Sequence, residues 1–347
     1  MGLVRYANGD IVNDTQRVAT STWTNNTNKL TTALMHESPI QNVNASSPGA
    51  TALGSHYINV YYDNSTSSSE FSVAYGHING SGSLEYTQGT GGTGFSPSRV
   101  IYNQYRQLVF GDENSTFSFN GYVPDHIFVV NVNRARYKHN LKPGTMMLTL
   151  TGAGQTRIYT DDSITQSGSA VMTNAGRQFN VVEGSTPGVM TGTTLNQSTG
   201  AATGCYGLFY PDSGFFILNP DALDAEHTGT ALQPTTTQNL AANNNHQKLV
   251  DCMQAGNSFI LDSEEKISSQ FYFTRARNSE FNYTTNPSFV DTNGSVNMAS
   301  MVDNPTTYIT TVGMYNDSGD LVAVAKLSQP VTKDFTKEAL IRVKLDY

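Results

Sequence analysis

The last segment of the chain alternates without a break: Ile341, Val343, Leu345 and Tyr347 fall on one side, Arg342, Lys344 and Asp346 on the other. A strict period of two fits a half-buried β-strand and does not fit a helix, whose apolar stripe repeats every three to four residues. The same signal recurs upstream. Tyr308 to Tyr315 and Leu321 to Leu327 flank Asn316-Asp317-Ser318-Gly319, and Tyr206 to Tyr210 and Phe215 to Leu218 flank Pro211-Asp212-Ser213-Gly214. Apolar runs separated by Asn, Asp, Ser, Gly and Pro predict antiparallel hairpins.

Composition agrees with that pattern. Only 14% of the 347 residues are charged, against about 25% in an ordinary soluble domain. Ser, Thr, Asn and Gly carry the polar share instead, and they disfavour helix interiors. The 18 Tyr and 16 Phe suit pleated surfaces. The expected fold is mainly β with a few short helices: antiparallel hairpins in sandwich-like modules with long polar loops.

Two helices are expected. Ser96-Pro97 can cap and start one whose face is Ile101, Tyr105 and Leu108, closed by Gly111-Asp112. The other covers Asn245 to Ala255, with Leu249, Val250 and Met253 on one face and Gly256 as its stop. Further strands are expected at Tyr57–Tyr62, Phe71–Tyr75, His126–Val132, Met146–Leu150, Arg157–Tyr159, Gln178–Val182, Phe259–Leu261 and Gln270–Thr274. Patterning divides the chain into a weakly patterned region, 1–95; an α+β segment, 96–160; a polar, insertion-like region with a hairpin and a helix, 161–258; and a β-rich region, 259–347. The last is suited to packing with 96–160 as one domain.

The net charge of −8 gives the chain as a whole no electrostatic pull toward nucleic acid, and nucleic acid is not an expected partner. Two distant cysteines, Cys205 and Cys252, do not make a disulfide framework. The start, Met1 to Tyr6, lacks the apolar run of a secretory signal, and no stretch has the length of a membrane span. Synthesis in a cytoplasm is the expectation.

Motifs for chemistry are sparse. Gly89-Thr90-Gly91-Gly92-Thr93-Gly94 matches the dinucleotide spacing, but only the weak strand Ser83–Thr87 precedes it and no βαβ pattern surrounds it. It reads as a loop. Asp224-Ala225-Glu226-His227 offers metal-type ligands yet reads as a solvated charged loop, and Asp161-Asp162 as a turn. Trp23 reads as a packing residue. No catalytic residue, metal ligand or cofactor site is nominated, and an enzyme is not expected.

Two basic stretches stand out in so uncharged a chain. One holds Arg134, Arg136, Lys138, His139 and Lys142; the other is Arg275-Ala276-Arg277. Each follows an apolar strand. Their guanidinium forks suit carboxylates within the chain, carboxylates of a neighbouring subunit, or phosphate. Arg134, Arg136, Lys138, Arg275, Arg277 and the terminal Tyr347 are the interface candidates.

The run Asn304-Pro305-Thr306-Thr307-Tyr308-Ile309-Thr310-Thr311-Val312-Gly313-Met314-Tyr315-Asn316, with Leu321 to Ser328 and Phe335 to Asp346, resembles the end of virion structural proteins of T4-like tailed bacteriophages, particularly those of cyanobacteria. Arg99 to Tyr105, Ile127 to Tyr137 and Phe271 to Asn282 are similar to the same family. The likeness is specific over the C-terminal region and vague before position 95 and over 150–258. It implies a virion part of a contractile-tailed phage, in the baseplate, whose partners are other tail proteins and copies of itself. It carries over no catalytic residue. The alternatives are a neck or collar part, or a host-contacting, fibre-like module that binds glycan through Tyr and Asn.

Overall fold

The structure is a computed structural model that describes residues 4–31, 36–38, 57–62, 68–82, 86–87, 91–92, 96–165, 170–191, 205–227, 231–236, 245–283 and 286–346. It is mainly β with four α-helices among the described residues, and every strand pair of known register is antiparallel. Two compact units divide the chain: 18–265, and 1–17 together with 266–347.

Unit 18–265 is built on a thirteen-stranded sheet. Its path runs Lys29–Leu30, Ser258–Ile260, Met147–Gly152, Gln155–Asp161, Gly176–Thr186, Gly207–Tyr210, Phe215–Leu218, His126–Val132, Ser69–His77, Tyr57–Tyr61 and His36–Ser38. Val171–Thr173 and Val189–Met190 pair with Gly176–Thr186 off that path. The central strands are apolar at nearly every position because both faces are covered. Along His126–Val132, Phe128, Val130 and Val132 enter one core with Trp23, Phe71, Phe216 and Phe259. Ile127 and Val129 enter a second core with Phe117, Tyr210 and Phe215. Each fully buried Phe or Ile contributes about 2 kcal/mol of transfer free energy.

Helix α1 (Pro97–Phe110) covers the second core with Tyr102, Tyr105 and Val109. Its buried stripe is thus rotated by about one residue from the expected Ile101, Tyr105 and Leu108 face; Leu108 is exposed. Pro97 starts the helix as expected, but the Ser96 hydroxyl donates to Gly80 O at 2.6 Å and does not cap. Gly111 closes the helix in the left-handed region (φ 68°), its N–H bonded to Gln107 O, a geometry that favours glycine. Helix α2 (Pro220–Glu226) is capped by Asn219, whose Oδ1 accepts from Asp221 N and Ala222 N. Asp224 and His227 are buried there, which corrects their reading as a solvated loop. Helix α3 (Asn245–Gly256) buries Leu249, Val250 and Met253 against the first core, the face expected of it.

Asp161 ends its strand and Asp162 opens the turn that follows, Thr165 N donating to Asp162 O at 3.1 Å, as expected, but both side chains are buried. Within the polar stretch after Ser163, the expected Gln178–Val182 strand extends over Gly176–Thr186. Of the glycine run, Gly91–Gly92 pairs with Tyr86–Thr87 and the remainder lies outside the described residues.

In unit 1–17/266–347, Asp262–Ala276 lies between Ile11–Ser21 and the C-terminal strand Ala339–Asp346. Ser269 to Ala276 pair with Asp346 to Ala339. The alternation holds as expected: Ala339, Ile341 and Val343 are buried while Leu340, Arg342, Lys344 and Asp346 are exposed. The hairpin Thr307–Tyr315/Leu321–Lys333 supplies Val312 and Met314 to the same small core, which also holds Tyr6, Tyr272, Ala323, Ala325 and Leu327. Helix α4 (Ser300–Asp303) precedes it.

Candidate functional site

The basic stretch after His126–Val132 is a tight turn. Asn133 organises it: its Oδ1 accepts from Ala135 N at 3.1 Å, and its Nδ2 donates to Ser69 O at 3.0 Å and Ser69 Oγ at 3.1 Å. Arg134–Arg136 form one 3-10 turn, so the two arginines do not alternate on a strand. Arg136 bonds Ser69 O at 3.2 Å and Ser68 O at 2.9 Å, and pairs with the buried Glu70 carboxylate at 3.3 Å. Arg134 points elsewhere. Its Nη1 donates to Tyr137 O at 2.6 Å, and its guanidinium lies 4.6 Å from the Tyr137 ring centre. Tyr137 is itself anchored, its hydroxyl donating to Ser213 O at 3.2 Å. Burial pushes the Tyr137 phenol up, and Arg134 opposes that. The side chain of Lys138 is exposed.

Arg275 and Arg277 belong to the other unit. Arg275 pairs with Glu338 through Nη2 at 2.6 Å and Nε at 3.1 Å. Arg277 is exposed, with its backbone N–H donating to Glu280 Oε2 at 3.0 Å. Tyr347 lies outside the described residues. Each basic stretch thus has an arginine in an intrachain ion pair, Arg136 with Glu70 and Arg275 with Glu338, whereas Arg134 is in no ion pair with a carboxylate among the described residues.

Arg134 and Tyr137 border a depression of about 400 Å³ whose other lining residues are Ser69, Ser72, Asn131, Val132, Asn133 and Ser213. Ser72 and Asn131 are directly opposed across two strands. Both interrupt apolar runs, Phe71-Ser72-Val73 and Val130-Asn131-Val132, a signal present in the sequence itself. The lining holds hydroxyls, amides and one guanidinium, and no carboxylate.

Buried polar groups elsewhere serve the fold. Asp161 accepts from Gly144 N, Ser163 N and the Ser163 hydroxyl; Asp162 accepts from Asn180 N and Nδ2 at 2.8 Å. Burial pushes both carboxyls up, against those hydrogen bonds. His126 Nε2 and the Tyr122 hydroxyl each lie 2.8 Å from an Asp221 oxygen. Burial would raise the Asp221 carboxyl, but the His126 and Tyr122 contacts outweigh it and hold the group low. Beside them His77 is pushed down to about 4, first by burial and then by His126. Cys205 and Cys252 are buried thiols pushed up to about 12 and about 11, which makes them poor nucleophiles at neutral pH. Among the described residues no three His, Cys, Asp or Glu side chains group as a metal site, and no helix is long and apolar enough to cross a membrane.

The C-terminal hairpin carries the other feature of note. One face packs into its own core, and the second exposes Tyr315, Leu321, Val322 and Val324. Gly313 lies opposite Val324, and the Tyr315 ring and Leu321 side chain close over it, within 3.2 and 3.4 Å of where a Cβ would stand. The outer face is therefore apolar at its turn end, and further along Thr311 stands opposite the exposed Lys326. No family model, curated protein or solved structure matches this chain.

Proposed function

We propose that this protein is an architectural subunit of a tailed-phage virion, placed in the contractile-tail baseplate, where it contacts neighbouring tail proteins and copies of itself. The carrying observation is the hairpin Thr307–Tyr315/Leu321–Lys333, one face of which packs into its own core while the turn end of the other exposes Tyr315, Leu321, Val322 and Val324. Val322 is 66% exposed and Val324 53%. Contiguous apolar side chains of this kind on a soluble protein mark a contact surface. Covering each with a neighbouring subunit gains about 1–2 kcal/mol. The hairpin also falls in the region whose sequence resembles phage virion proteins.

A supporting feature is the strand Ile11–Ser21, which exposes almost every residue on both sides. A strand so poorly buried gains little from its own fold and is suited to cover by a neighbour. The test is mass spectrometry of gradient-purified particles from infected cells. The protein is expected at a fixed stoichiometry to known tail proteins; its presence only in the lysate and never in particles would overturn the proposal.

A further inference from the structure

We propose that the depression bounded by Ser72, Asn131 and Arg134 is a binding site for a hydroxyl-rich carboxylate, a sugar acid of hexuronate size. The inference is independent of the assembly reading and rests on the lining. Its one cation, Arg134, is held in place by the bond to Tyr137 O and by the ring beneath it, so little freedom is lost when it engages a ligand. The acids nearest in sequence to the lining are already neutralised: Glu70 pairs with Arg136 at 3.3 Å and Asp212 with Arg177 at 2.6 Å. Ser72 and the Asn131 amide have no side-chain hydrogen-bond partner among the described residues. They offer two amide donors, an amide acceptor and a hydroxyl to the same space.

Charge and size select the ligand class. A single guanidinium balances one negative charge, which favours a carboxylate over a phosphate dianion in a chain of net charge −8. The Tyr137 ring is covered by Arg134, so the site recognises hydroxyls by hydrogen bonding and offers no open aromatic face for stacking. The volume, about 400 Å³, suits a small molecule and not a long chain.

Ligand-observed saturation-transfer NMR on the full chain tests this with three probes: sodium glucuronate, glucose and inorganic phosphate. Glucuronate is expected to bind saturably and about tenfold more tightly than glucose or phosphate, the effect of one charge-assisted contact. Arg134→Gln should weaken glucuronate about tenfold and leave glucose unchanged. Asn131→Asp, which keeps the side-chain shape, should weaken glucuronate by like-charge repulsion with an unaltered thermal midpoint. The proposal is overturned if glucuronate gives no saturable signal, if glucose or phosphate binds as tightly, or if folded Asn131→Asp and Arg134→Gln both retain full glucuronate affinity.

Discussion

Lys333 is fully buried, yet its ammonium pairs with no carboxylate among the described residues. It donates to Asn278 O at 2.9 Å, Asn282 Oδ1 at 2.7 Å and Asp334 O at 3.0 Å, a cage of three uncharged oxygens. Lys333→Met keeps the apolar stem and leaves those acceptors unpaired. It should destabilise the protein by about 2–3 kcal/mol, seen as a lower urea midpoint at unchanged slope. Nothing in Val331-Thr332-Lys333-Asp334 marks this lysine, because two of its three partners, Asn278 O and Asn282 Oδ1, come from a distant segment and the third is a main-chain oxygen, which leaves no pattern in sequence. His77 supports a prediction on pH. Its Nδ1 accepts from Asn79 N–H at 3.0 Å, which requires the neutral ring, and its pKa falls from 6.5 to about 4. Above pH 6.5 the ring is neutral in both folded and unfolded chains, so stability is full. As pH falls from 6.5 toward 4 the unfolded chain takes up the proton first, and stability should drop by on the order of 2 kcal/mol. Unfolding curves for the native protein and His77→Asn between pH 4 and 7 check this: the variant should lose that part of the slope.

Among the elements, Gly256 shows how closely α3 approaches the sheet. A Cβ there would lie 1.9 Å from Thr149 O, a backbone atom that cannot swing aside. Gly256→Ala should therefore cost about 3 kcal/mol or more, whereas Gly9→Ala, with nothing within 4 Å, should be close to neutral in thermal denaturation. Elements proved legible where burial is patterned or where turn residues punctuate apolar runs. The Ala339–Asp346 alternation, the Asn316–Gly319 and Pro211–Gly214 turns, and the Leu249/Val250/Met253 face of α3 all follow from sequence periodicity. Ile11–Ser21 was not legible, because a strand exposed on both sides has no alternation to read. Asp262–Ala276 was seen only at its aromatic end; its first half buries Ser263 and Glu264, polar residues that invert the usual signal. Helix α2 carried its own signal in Asn219-Pro220-Asp221, an N-cap, a first-turn proline and a first-turn acid. That signal was outweighed by the polar segment around it.

For the molecule as a whole, compactness follows contacts and not the run of composition along the chain. The Tyr6 hydroxyl lies 2.7 Å from Thr274 Oγ1, and its ring packs 5.5 Å from that of Tyr272, which ties the N-terminal segment to the C-terminal one. The candidate surfaces were only partly legible for the same reason. The basic stretch at 134–142 was conspicuous, but the depression beside it needs Ser69, Ser72 and Ser213, which only the sheet brings together. The outer hairpin face was hidden because an apolar strand reads alike whether one face or both will be covered. If that face is a subunit contact, Val322→Lys with Val324→Lys should leave the thermal midpoint within about 2 °C, since both side chains are exposed, while excluding the protein from particles. The most direct measurement is a cryo-EM map of the intact particle at side-chain resolution. The assembly account predicts density from a neighbouring subunit over Tyr315, Leu321, Val322 and Val324 in every copy. A map in which that face meets solvent in all copies, or in which no density fits this chain, would contradict it.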